Sequence, residues 1–286
     1  MSPDSVPWWV WPSVLFVATF ALGLVAVVGG LGGGTIFVPI VAGFFPFHLD
    51  FVRAAGLLVA LSGALAAGPH LLRMNLADLR LALPIALVTS ASAIVGARVG
   101  LALPTALLQI ALGLIVFGLL AVLILVRRTE VVESAPGDTL SRWLGIEGVY
   151  YEATLQRLVE WRVQRTWSGL VLFVFIGVMA GMFGIGAGWA NVPVLNLVMG
   201  VPLKVAAGTS VLLLSVTDTT AAWVYLHEGA VLPLIVVPSV LGIMLGARVG
   251  VRLLDLAKPR TVRAVLVAAL FLSGVRSLLK GLEVWP

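Results

Sequence analysis

The sequence predicts an all-α polytopic membrane protein made of two inverted repeats, with roughly 8–10 membrane helices, some of them re-entrant or broken. Three observations predict this. Of the 286 residues, 60% are hydrophobic and only 11% are charged, with a mean hydropathy of +1.12; a soluble domain carries roughly a quarter charged residues. Residues 13–47 and 166–203 contain no charge, and residues 81–126 contain only Arg98. A glycine-proline pattern also occurs twice. Gly30-Leu31-Gly32-Gly33-Gly34-Thr35-Ile36-Phe37-Val38-Pro39 returns as Gly184-Ile185-Gly186-Ala187-Gly188-Trp189-Ala190-Asn191-Val192-Pro193, an offset of 154 residues. Gly96-Ala97-Arg98-Val99-Gly100 recurs unchanged as Gly246-Ala247-Arg248-Val249-Gly250, an offset of 150. Such a repeat marks an internal duplication.

Taken in order, apolar runs and breakers place the first-half elements at 12–30, 35–46, 52–72, 81–103 and 105–127. Those of the second half fall at 168–187, 190–200, 205–226, 230–253 and 262–281. A full span takes about 20 apolar residues, so the second element of each half is too short to cross. It follows the glycine pattern, and the first two elements of each half are therefore expected to form a broken hairpin. Such backbone is tolerated in a bilayer only where it is buried in protein or lines a cavity. Residues 1–127 form the first repeat, 128–167 a linker and 168–286 the second repeat.

The linker region carries Arg127, Arg128, Arg142, Arg157, Arg162 and Arg165. Orientation follows the Lys/Arg count, which puts this segment in the cytoplasm of a cell membrane. Spacing over 155–163 fits an amphipathic surface helix or a solvated connector. Walking outward, the connection with Arg73 and Arg80 falls inside, and so does the one with Arg248, Arg252, Lys258, Arg260 and Arg263. Equivalent loops of the two halves then lie on opposite faces, which is the inversion. Both chain ends fall outside, with Trp8, Trp9 and Trp11 as interfacial anchors. The first residues lack a basic stretch, so a cleaved signal peptide is not expected.

The net charge of +5 reflects these flanking residues and not a nucleic-acid surface. There is no cysteine, which excludes disulfides and thiolate metal sites. His48, His70 and His227 lack metal-ligand spacing. No nucleophile–base pair, phosphate loop or dinucleotide fingerprint is present, so no enzyme, metal or cofactor is expected.

The glycine boxes are the leading site candidates. Glycine allows φ > 0 and close backbone approach, and proline interrupts the hydrogen-bond ladder. Free amides at a half-helix N-terminus would then hold an anion. This selects Gly32, Gly33 and Gly34 in the first box and Gly186, Ala187 and Gly188 in the second. Small residues also let helices pack closely; breakers at matched places in both halves favour a transport site. Asn191 lies inside the repeated box and is preferred to Asn196. Thr209 and Ser210 carry hydroxyls that either donate to an anion or bond back to their own helix. Asp218 is the only charge between Lys204 and His227. A charge at mid-span costs about 2.5–3.5 kcal/mol, which makes Asp218 a candidate for proton coupling or for pairing with a basic residue. Arg98 and Arg248 are symmetry mates near span ends; an arginine can clamp an oxyanion bidentately, but snorkelling to the interface is the preferred reading for both.

The second glycine box, the following Gly200-Val201-Pro202-Leu203-Lys204-Val205-Ala206-Ala207-Gly208-Thr209-Ser210 and the Gly246–Gly250 motif together resemble the sulfite exporter TauE/SafE family of permeases. Gly148-Val149-Tyr150-Tyr151-Glu152 is similar to a linker piece in one branch of it. The resemblance covers residues 12–282. It implies transport of sulfite, a sulfonate or a related sulfur oxyanion, and it assigns Thr209 and Ser210 to the site. The chain departs from the pattern at Ala187 and Trp189, at Leu57-Leu58 where Thr-Ser is common, and at Asp218. A secondary transporter working by alternating access is the expected function; an anion channel, or a permease for a non-sulfur organic anion, is the second reading. Expected partners are the small anion and the lipid bilayer, with no nucleic acid; a homodimer fits the pattern.

Overall fold

The computed structural model describes residues 7–29, 33–73, 76–125, 137–152, 157–253 and 259–284. The first half supplies α1 (Val10–Gly29), α2 (Gly33–Phe44), α3 (Leu49–Arg73), α4 (Leu79–Ala102) and α5 (Thr105–Leu125). The linker holds α6 (Thr139–Trp143), β1 (Glu147–Glu152) and β2 (Arg157–Arg162). The second half supplies α7 (Thr166–Phe183), α8 (Gly188–Pro193) with a π-helical turn (Val194–Val198), α9 (Leu203–His227), α10 (Pro233–Leu253) and α11 (Pro259–Gly281). These follow the expected elements in number and order, and the chain is an all-α polytopic membrane protein apart from the small linker hairpin. Among the described residues, Leu49–Ala66, Leu79–Ala102, Thr166–Phe183 and Leu203–His227 are long and apolar enough to cross a membrane.

Breakers set the ends of the short elements. Gly184 caps α7 in the left-handed region at φ 68°, and its N–H bonds the Ala180 carbonyl at 2.9 Å. The last four residues of the expected element, 184–187, are thus taken by the turn. Pro193 then interrupts α8, and the chain continues as a π-turn in which Met199 N–H reaches the Val194 carbonyl at 3.0 Å. Inserted π-turns concentrate at functional sites.

Packing follows the duplication. α1 lies on α10, and its repeat counterpart α7 lies on α4, the counterpart of α10. The equivalents α3 and α9 pack on each other, and so do α5 and α11. Each half is therefore completed by the other. The recurring Gly-Ala-Arg-Val-Gly motif makes two of these seams: Gly96 leaves no room for a Cβ against the Val178 carbonyl of α7, nor Gly246 against the Phe20 carbonyl of α1. Close approach of this kind is how membrane helices gain van der Waals contact. Arg98 and Arg248, between those glycines, are exposed.

The linker corrects one expectation. Residues 155–163 are not a surface helix, since 157–162 form a strand paired antiparallel with β1. Val159, Trp161 and Val163 turn inward while Glu160 and Arg162 are exposed, a two-residue period. Trp161 covers Gly148 and joins a core cluster with Leu81, Val201 and Val205. Asp138 fastens the linker to α7, accepting from Thr166 N at 2.5 Å and Thr166 Oγ1 at 2.9 Å while capping α6 through Ser141 N at 2.7 Å. Burial pushes the Asp138 carboxyl up, but the bonds from Ser141 and Thr166 outweigh it and hold it below the usual range. At the N-terminal end, Trp8 and Trp9 are exposed, whereas Trp11 turns inward onto Phe45 and Phe47.

Candidate functional site

The two glycine boxes meet at mid-length of α3. α2 begins inside the first box, and the turn between α7 and α8 is the second. A Cβ on Gly34 would stand 2.7 Å from the Gly56 carbonyl and 3.3 Å from the Ile185 carbonyl. Thr35 Oγ1 donates to that same Ile185 carbonyl at 3.3 Å. Gly186 has φ 69°, and a Cβ there would lie 3.1 Å from the Ala60 Cβ and 3.2 Å from Asp218 Oδ2. Glycine is required here twice over, for the backbone angle and for the space. Gly33 packs against Ile243 and Val59, Gly188 against Leu214, and Ala187 is buried. Gly32 lies outside the described residues.

Asp218 is wholly buried, and neither carboxyl oxygen has a partner among the described residues. The same holds for Trp189 Nε1, both amide atoms of Asn191 and Thr217 Oγ1. Buried polar groups are normally hydrogen-bonded, so unpaired ones mark a place where something else binds or the groups rearrange. These four residues belong to α8 and α9, which pack on each other. Chemically they offer an indole N–H, an amide and a hydroxyl as donors, and one carboxyl that donates only when protonated.

Other expected residues lie elsewhere. Thr209 Oγ1 accepts from Asp78 N–H at 3.1 Å, and Gly208 packs on the Leu76 carbonyl. Thr209 thus secures the α3–α4 connection, nine residues along α9 from Asp218, or about 13 Å. Its neighbour Ser210 is buried beside it. Asn196 Nδ2 donates to the Val201 carbonyl at 2.9 Å and closes the turn after the π-helix.

Sequence reasoning missed three residues. Trp189 entered only as a departure from the family pattern and Thr217 was not singled out, yet both present unpaired buried donors. Arg53, near the start of a span, was not singled out, yet its side chain is wholly buried. Comparing the halves could have flagged it: counted back from Gly56 and from Gly208, its counterpart is the apolar Val205.

Among curated proteins, the chain is similar to the probable membrane transporter protein YunE of Bacillus subtilis, 26% identical over 114 residues. That match spans 40% of this chain and 42% of the relative's length. No solved structure matches the chain significantly. The family model for sulfite exporter TauE/SafE matches residues 15–277, a stretch that includes both boxes, the linker and the paired seams. The chain is therefore a multi-pass cell-membrane protein that belongs to the sulfite exporter TauE/SafE family.

Proposed function

We propose that this membrane transporter moves a small sulfur oxyanion or sulfonate by alternating access, with the anion held between the two glycine boxes and α9. The observation that carries the reading is the set of unpaired buried donors on Trp189 and Asn191 of α8 and Thr217 of α9, two helices that pack on each other, with Gly186 bordering Asp218. Backbone amides at the broken elements, those of Gly33 and Gly34 and of Gly186, Ala187 and Gly188, would add donors to it. Thr209 and Ser210 would act from the neighbouring turns of α9, by holding the α3–α4 connection that moves.

Asp218 sets the coupling. An ionised carboxylate repels an oxyanion, whereas a protonated one donates to it. Anion and Asp218 therefore share the centre only with a proton between them. Export of an anion is favoured by about 2.3 kcal/mol per charge per 100 mV of inside-negative potential; import needs the proton. The exchange of packing partners between the halves, α1 with α10 and α7 with α4, supports inverted repeats that rock against each other.

The test is flux in proteoliposomes against sulfite, thiosulfate, sulfoacetate, taurine and acetate, with and without a pH gradient. Saturable movement of the sulfur anions over acetate is expected. Equal rates for all five, or no flux, would overturn the substrate reading. Single-channel currents would replace a transporter by a channel.

A further inference from the structure

Among the described residues two charged side chains are wholly buried, Asp218 and Arg53. They lie on facing antiparallel helices. Arg53 stacks over the Tyr225 ring at 5.6 Å, and seven residues further along, Ala60 of α3 and Asp218 of α9 both border Gly186. Seven helical residues put Arg53 about 10 Å along the axis from Asp218. The second glycine box bridges the gap: Gly186 borders Asp218, and Gly184 lies so close to Arg53 that a Cβ would strike its backbone.

The surroundings of Arg53 are lopsided. Its Nη1 donates to the Met182 carbonyl at 2.8 Å, at the C-terminal end of α7. Its Nη2 bonds Asp50 Oδ1, and its Nε has no partner among the described residues. Tyr225 Oη donates to the Gly181 carbonyl at 2.9 Å. Asp50 leads outward: its other oxygen lies 3.4 Å from His48 Nδ1, and side-chain exposure falls from 55% at His48 to 27% at Asp50 and 1% at Arg53. A track of polar groups thus runs inward from the end of the molecule where α3 begins to Arg53, which lies against Gly184 of the second box.

We propose that Arg53 is a second oxyanion site on this track, filled at rest by the Asp50 carboxylate, which the travelling anion displaces. The proposal rests on the transporter reading above. A guanidinium is suited to the task because its fork binds planar and tetrahedral oxyanions bidentately, and because it is less strongly hydrated than an ammonium. A carboxylate already in its grip shows which ligand chemistry it accepts. Arg53 has no counterpart in the second half, where Val205 stands, so the site serves one side of the cycle only.

The experiment is sulfite flux at varied concentration in proteoliposomes. Asp50→Asn removes the resident competitor and is expected to lower KM about threefold or more, since a charge-assisted bond is at stake. Arg53→Gln is expected to raise KM about tenfold or more, and Arg53→Lys, a one-point donor, to fall between. A pure clamp holding Met182 predicts otherwise: an unchanged KM for Asp50→Asn, with lower kcat and stability for all three. That result would overturn the proposal and leave the transporter reading standing. If Arg53→Gln does not fold, Asp50→Asn and Arg53→Lys decide. If the unmodified protein moves none of the anions, both readings fall together.

Discussion

Thr35 donates its hydroxyl hydrogen to the Ile185 carbonyl at 3.3 Å, so the first glycine box is bonded to the second across 150 residues of chain. The bond joins the first turn of α2 to the turn between α7 and α8, over Gly56 and Ala60 of α3. Thr35→Val keeps the shape and removes the donor. It is expected to cost about 1 kcal/mol, the usual worth of such a bond, and to show as a lower melting temperature in detergent. Unchanged stability would mean that packing alone joins the boxes.

Gly186→Ala adds strain at φ 69° of about 1–2 kcal/mol and sets a methyl 3.2 Å from Asp218 Oδ2. Transport should fall strongly while helical content measured by circular dichroism stays. Gly186→Leu should abolish transport. A Gly186→Leu protein that still moves sulfite at the normal rate would make the box a packing element.

Asp218→Asn keeps the volume and cannot exchange a proton. Downhill anion flux should persist, and the response to an imposed pH gradient should vanish. A mutant that still accumulates anion in proportion to the gradient would exclude Asp218 as the coupling group.

Gly96→Leu and Gly246→Leu should both prevent assembly, because each puts a side chain where a facing carbonyl already sits. The exposed Arg98→Ala and Arg248→Ala should change little. Yield and monodispersity in detergent separate the two pairs. Well-assembled leucine variants would contradict the packing role of these seams.

Acid should loosen the linker. The Asp138 carboxyl is held below its ordinary value of 3.8 in the folded protein, so its contribution is present above that value. It is lost as pH falls through the lower, folded value. Asp138→Ala should remove a helix cap worth about 0.5–2 kcal/mol and speed amide exchange across residues 137–166 at neutral pH, with less further change on acidification. Equal acid sensitivity in mutant and parent would assign the effect to other groups.

Much of this was readable from sequence because it rests on local rules. Composition names a bilayer as solvent, Gly186 and Pro193 break helices wherever they stand, and the doubled Gly-Ala-Arg-Val-Gly motif marks close seams. The linker strand was misread because Leu155, Leu158, Val159 and Val163, at i, i+3, i+4 and i+8, also fit a helical face. Thr209 shows a different limit: its hydroxyl suits an anion equally well, and only the neighbouring Asp78 N–H makes it a strut.

The sequence by itself determined the membrane class, the duplication, the order of the elements and the places where they break. Those depend on hydrophobicity and backbone geometry, which each residue carries with it. The tertiary structure alone decided that the two boxes meet at Ala60, that Trp189 Nε1, Asn191, Thr217 Oγ1 and Asp218 are buried without partners among the described residues, and that Arg53 is interior. These are contacts between segments up to 172 residues apart, Arg53 to Tyr225, and they exist only once each half has packed its helices against the other.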